Sequence, residues 1–202
     1  MIYTNELLPG YEWNAMVACL VERMSKEKHL LPQKPEDLIA QLENDRSVVA
    51  IENGQIVGHA TLWPIAHNWY ETGSTFVCPS NREKKINITM YHILLAHHQE
   101  KNILATTTNA VSLHIGKKLG FITVKRNSLP EEALVGTCIC SRKKTGSDNA
   151  LTSCRLAWSG DNWNPIEDEW ELPCHVRVVP ETFKRHPDMV RIQNYIPEKI
   201  AV

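Results

Sequence analysis

Between Glu71 and Phe121 the chain reads strand, charged turn, helix, strand, helix. A strand over about 69–77 closes in Val77-Cys78-Pro79. From Ile86 to Gln99, Ile86, Met90, Ile93, Leu94 and His97 fall on one helical face. Ile103 to Thr107 is a short strand that carries the β-branched residues Ile103, Thr106 and Thr107. Asn109 can cap a helix over 110–118, Gly120 ends it, and Phe121 to Lys125 starts another strand. Elements alternating in this way share one sheet, and the helices must cover its faces.

The preceding residues fit the same architecture. Trp13, Met16, Val17, Leu20, Val21 and Met24 recur at helical spacing within 11–28. Pro35 can open a second helix over 35–44, with Leu38, Ile39 and Leu42 inward. Val48-Val49-Ala50-Ile51 is a strand, Asn53-Gly54 signals a two-residue hairpin, and the return strand runs to Leu62, with Pro64 helping to end it. The strand over 69–77 then closes an antiparallel meander. After 125, Leu129-Pro130-Glu131-Glu132 is a loop and 134–140 a last strand. The fold class expected is α/β in the α+β sense: a mixed, mostly antiparallel central sheet with helices on both faces.

Residues 1–142 would form that domain. The polar connection 141–153 leads to a segment with Trp158, Trp163 and Trp170, the acidic run Glu167-Asp168-Glu169 and five prolines. So many aromatic residues argue against a disordered tail. Residues 143–202 are therefore expected as a Trp/Pro-rich extension packed on the core, with a short strand near His175 to Val179.

A formal net charge of −1 gives no general pull toward nucleic acid or an anionic membrane. No apolar run is long enough to span a bilayer, and Met1-Ile2-Tyr3-Thr4-Asn5-Glu6 lacks the features of a signal peptide. Six well-separated cysteines without an export signal point to reduced thiols and a cytoplasmic protein. Cys138, Cys140, Cys154 and Cys174-His175 could together supply one tetrahedral zinc site. Their spacing matches no standard zinc knuckle, so separate thiols and no metal are expected.

Val77-Cys78-Pro79-Ser80-Asn81-Arg82, then Thr108-Asn109-Ala110 and Lys117-Lys118-Leu119-Gly120-Phe121, resemble the acyl-CoA-binding half of the GNAT superfamily of N-acyltransferases. The resemblance covers roughly 11–140. It implies acetyl-CoA as co-substrate and a small-molecule amine or amino acid as acceptor, by direct attack without a covalent enzyme intermediate. A homodimer would be in keeping with families of this kind. In the usual loop, Arg-Gly-Lys-Gly-Ile-Gly, glycines let the backbone approach a pyrophosphate. Here it reads Arg82-Glu83-Lys84-Lys85-Ile86-Asn87. The expectation is a loop that holds phosphates through Arg82, Lys84, Lys85 and Asn87 and leans on side-chain cations. Asn109 would contact CoA, and the main chain of Phe76 and Val77 would hold the thioester arm.

Glu71 lies where relatives often carry a glutamate that takes the amine's proton through water. The family's tyrosine proton donor falls at Gly116, which leaves His114 on the same helix as the candidate acid. His59 and His67 could line the acceptor side, but nothing in the sequence selects them. The alternative to a transferase is a non-catalytic module of this fold that binds CoA or a protein partner.

Overall fold

The computed structural model describes residues 1–27, 30, 32–105, 110–125, 128–133, 173–187 and 189. The strand expected over 134–140, Cys138, Cys140, Cys154, the three tryptophans and Asn109 lie outside them. Among the described residues seven strands follow the hydrogen-bonded order β1-β2-β3-β4-β5-β7-β6. They are β1 (Ile2–Thr4), β2 (Ser47–Glu52), β3 (Gln55–Ala66), β4 (Trp69–Val77), β5 (Asn102–Ala105), β6 (Ile122–Lys125) and β7 (Pro173–Arg177). β4 and β5 run parallel; β1–β2, β2–β3, β5–β7 and β6–β7 are antiparallel. This is the mixed, mostly antiparallel sheet expected. Among the described residues no helix is long and apolar enough to cross a membrane.

The chain divides into two compact units. The first comprises Met1–Trp63 and Thr72–Glu100. Asn53 and Gly54 take φ of 51° and 73°, the paired left-handed geometry of a type I′ turn, and set Glu52 opposite Gln55. Helix α1 (Trp13–Met24) buries Trp13, Val17, Leu20 and Met24, one residue per turn along a single stripe. Helix α2 (Pro35–Glu43) starts on its proline and buries Leu38 and Leu42. Both α2 and α3 (Ile86–His97) pack against β2, whose residues Ser47 to Ile51 are all buried. The buried valine, leucine, isoleucine and methionine side chains here contribute roughly 1.5–3 kcal/mol each. Gly58 brings α3 close: a Cβ there would lie 2.8 Å from Ile86 Cγ2.

Three local expectations change. Strand β1 was not foreseen, because three residues are too short for a period to show. Pro64 does not end β3, which runs on to Ala66. His97 is exposed, whereas His98 is buried and its Nε2 lies 2.7 Å from the Asp45 carbonyl. Here the helix has ended, and His98 takes a non-helical backbone that turns its ring inward.

The second unit comprises Pro64–Glu71 and Lys101–Val202. The first residues of β4 pair with β5, Trp69 opposite Asn102 and Glu71 opposite Leu104. Helix α4 (Ala110–Lys118) ends on Gly120, φ 84°. The Phe121 amide reaches the Gly116 carbonyl at 2.9 Å and the Gly120 amide the Lys117 carbonyl at 3.2 Å, a Schellman closure. Strand β7 lies between β5 and β6, with Val176 opposite both Leu104 and Ile122. Trp69, Leu104, Val124, Leu129, Ala133, Val176 and Met189 form the core. Trp69 Nε1 donates to Glu132 Oε1 at 3.0 Å. Buried Asn102 accepts at Oδ1 from the Val179 amide (3.0 Å) and from Thr182 Oγ1 (2.8 Å), tying α5 (Pro180–Arg185) to β5.

Candidate functional site

In the first unit, β4 leads into a short 3₁₀ turn, Pro79–Asn81, and then into the loop before α3. The Cys78 amide donates to the Val57 carbonyl at 2.8 Å and so anchors the end of β4 to β3. Buried Asn81 donates from Nδ2 to Glu52 Oε2 at 2.7 Å. The Glu52 carboxylate also pairs with Lys84 at 3.7 Å. Arg82 donates from Nε to the Val77 carbonyl at 3.2 Å, and its guanidinium pairs with Glu27. Two of the three loop cations are thus engaged by carboxylates of the same unit. Among the described residues Lys85 has no ion-pair partner and is exposed.

The backbone supplies what the residue types do not suggest. Glu83 has φ of 72° and Lys85 of 59°. These are two of the three loop positions, 83, 85 and 87, where glycine stands in the pattern the sequence resembles. Each left-handed non-glycine residue costs about 1–2 kcal/mol. Lys85 is also the N-cap of α3, so the left-handed turn feeds directly into the helix start. Amides turned this way, next to a helix N-terminus, form a concavity suited to an anion. Asn87, in the first turn, holds a buried Oδ1 that has no hydrogen-bond partner among the described residues. Turned over, the same carboxamide would present an N–H donor.

Phe76 is buried and Val77 half-buried at the end of β4. In the second unit Glu71 is half-buried opposite Leu104 of β5, and His114 is exposed on α4. Gly116 is half-buried, and a Cβ added there would meet Phe121 Cβ at 3.6 Å. Arg82, Lys84, Lys85 and Asn87 gather around one loop with Phe76 and Val77 just before it. Glu71 and His114 belong to the other unit.

Sequence reasoning missed a polar network behind β4. Ser74 has φ of 51°. Its carbonyl lies 3.0 Å from His59 Nδ1, and its Oγ accepts from Trp63 Nε1 at 3.3 Å. Thr72 and Thr75 both bond the Tyr91 hydroxyl, Thr75 at 2.6 Å. His59 Nε2 meets Thr61 Oγ1 at 2.8 Å, and Thr61 bonds Ser47. Burial drives the His59 pKa down to about 4, the Ser74 carbonyl only partly opposing it. Burial raises the Tyr91 pKa, against the two threonine hydrogen bonds. The sequence signal for His59 was a histidine inside the apolar run Ile56 to Leu62. For Tyr91 it was the break in alternation that Gly73-Ser74 makes between two threonines.

Residues 13–121, more than half of the chain, match the sequence profile described as the Acetyltransferase (GNAT) family. In fold the chain is similar to Rv2747 of Mycobacterium tuberculosis, solved with CoA, at 12% identity and TM-score 0.57, covering 89% of this chain and 99% of that one. It is similar to N-acetylglutamate synthase of Neisseria gonorrhoeae, complexed with coenzyme A and N-acetyl-glutamate, at 16% identity and TM-score 0.54. That match covers 87% of this chain, which spans 34% of the larger protein. Diaminobutyrate acetyltransferase of Paenibacillus lautus, solved with its substrate and coenzyme A, matches at 14% identity and TM-score 0.51, over 87% of this chain and 92% of that one. Identities this low speak for a shared fold alone. No curated protein sequence matches the chain.

Proposed function

The chain belongs to the GNAT acetyltransferase family, and from that premise we propose that it moves an acetyl group from acetyl-CoA to the amine of a small molecule or amino acid. The observation that carries this reading is the left-handed backbone at Glu83 and Lys85, immediately before α3. It keeps an anion-binding turn in a loop that has lost its glycines. In this reading the loop amides hold the pyrophosphate. Lys85 lies nearest in sequence to the helix start and adds charge, while Arg82 and Lys84 hold the loop to Glu27 and Glu52 and add positive potential. Asn87 donates its amide to a phosphate, Asn109 contacts CoA, and the main chain of Phe76 and Val77 holds the thioester arm.

The chemistry is a direct transfer. The neutral amine attacks the thioester carbonyl, the N–C bond forms, and backbone N–H groups stabilise the oxyanion. The C–S bond then breaks. Glu71 accepts the ammonium proton through water, and His114 is the candidate donor to the departing thiolate. Residues 1–142 form the transferase part in this reading. Residues 143–202 are an extension from which β7 enters the sheet.

Calorimetric titration with acetyl-CoA tests the reading. Wild type is expected to bind in the micromolar range, and Arg82→Ala and Lys85→Ala each to weaken binding by roughly fivefold. No binding at millimolar acetyl-CoA would sink the reading. A second reading has one observation in its favour: Gly116 stands where the family's tyrosine donor is expected, and Phe121 sits against it. The fold would then bind CoA or a protein partner without turnover. Acetyl-CoA binding with no transfer to a panel of amines and amino acids would select it.

A further inference from the structure

We propose that His59, Trp63 and Tyr91 are positioning residues that set a kink in β4 at Ser74, and through it the direction of the Thr75–Val77 main chain toward an acyl-CoA donor. The proposal rests on the acetyl-CoA reading above. Its starting point is the left-handed Ser74, φ 51°, inside a strand. A non-glycine residue stays in that region only where its surroundings over-determine it.

Three side chains do so here. His59 donates from Nδ1–H to the Ser74 carbonyl at 3.0 Å. Trp63 donates to Ser74 Oγ at 3.3 Å, and its ring lies against Gly73, where a Cβ would come within 3.2 Å of Cδ1. Tyr91 reaches across from α3 and bonds both Thr72 and Thr75. Residues three apart on a regular strand point to opposite faces. One phenol can bond both threonines only because the kink shifts the alternation by one. The same shift reverses which way the later peptide groups point.

The tautomer of His59 follows from its partners. The Ser74 carbonyl can only accept, so Nδ1 carries the proton and Nε2 accepts from the Thr61 hydroxyl at 2.8 Å. Thr61 in turn accepts from Ser47. His59, Thr61 and Ser47 are all fully buried, so this line of hydrogen bonds has one arrangement that satisfies every member. None of these side chains has a role in the transfer chemistry above.

Tyr91→Phe removes the bridging hydroxyl and keeps the ring. Thr75→Val removes one end of the same bridge and carries the test if Tyr91→Phe does not fold. The amide exchange of Thr72–Val77, the exchange of Val48–Ile51 in β2, the melting temperature and the acetyl-CoA dissociation constant are measured on each. Exchange over Thr72–Val77 is expected to rise about tenfold with β2 unchanged, and acetyl-CoA affinity to fall about tenfold, with the melting temperature within a few degrees of wild type. Unchanged exchange overturns the proposal. So does raised exchange with wild-type affinity, because the side chains would then hold the strand without directing it. If wild type takes up no acetyl-CoA, the acetyl-CoA reading falls, and with it the direction toward a donor; the exchange data still decide whether these residues set the kink.

Discussion

The hairpin at Asn53-Gly54 and the segment from Thr72 to Lys85 use the same backbone conformation for opposite reasons. In the hairpin, two adjacent left-handed residues are an asparagine and a glycine, the types that adopt it at least cost. In the segment, the left-handed residues are Ser74, Glu83 and Lys85. Nothing in their chemistry favours it. There the conformation is imposed from outside, by His59, Trp63 and Tyr91 at Ser74 and by the start of α3 at Lys85. A turn can be encoded in its own residues or in its neighbours. The second kind is vulnerable wherever the neighbours change.

Acid should separate the two regions most. His59 is buried neutral, with its pKa lowered from 6.5 to about 4. The unfolded chain therefore takes up a proton first as the pH falls. Stability from this group is complete above about pH 6.5, declines by about 1.4 kcal/mol per unit as the pH drops toward 4, and levels off below that. Chemical denaturation across this range reads the slope. Amide exchange is expected to rise first over Thr72–Val77, with the hairpin following only on global unfolding. Parallel rises in both regions would break the comparison.

Next in size is Gly58→Ala. Its Cβ would meet Ile86 Cγ2 at 2.8 Å and Met90 Cε at 3.2 Å, so α3 must move off β3. Overpacking of this kind costs about 1–3 kcal/mol. Acetyl-CoA binding is expected to weaken too, because Lys85 keeps its φ only while α3 starts where it does. Calorimetry and a denaturation curve on the same sample check both parts. In the hairpin, Gly54→Val is expected to cost about 1–2 kcal/mol and to leave acetyl-CoA binding untouched. Any loss of binding would mean that the two regions are coupled.

The smallest effect has the opposite sign. Glu83→Gly relieves a left-handed side chain but adds chain entropy to the unfolded state, and the net change is expected to stay within about 1 kcal/mol of zero. It also removes a carboxylate beside the turn proposed to hold the pyrophosphate. Acetyl-CoA affinity should therefore rise modestly, by roughly twofold to fivefold. A fall in affinity would mean that the Glu83 side chain contributes to the loop in its own right.

What could be read in the sequence divides along the same line. The stripes of α1 and α2, the Asn53-Gly54 hairpin and the closure of α4 at Gly120 were legible because their signals are local. The loop from Arg82 to Asn87 was legible in position, but its geometry was not. Absent glycines pointed to side-chain cations, whereas the backbone keeps its left-handed turns and carboxylates take up Arg82 and Lys84. The kink at Ser74 was hidden because its determinants lie on β3 and α3. The place of Pro173–Arg177 between β5 and β6 was hidden for a similar reason: strand propensity says nothing about which distant strand is the neighbour.

That last strand has a consequence for how the protein is made. β6 ends at Lys125, and its hydrogen-bonded neighbour β7 begins at Pro173. A ribosome that has just completed β6 must add dozens of residues before the sheet can close. Through that interval β6 has no β7 to pair with, and β5 lacks its partner on that side. Nascent chains with open strand edges are natural clients for chaperones and prone to join one another. A premature stop before residue 173 should therefore yield aggregates rather than a shortened folded protein.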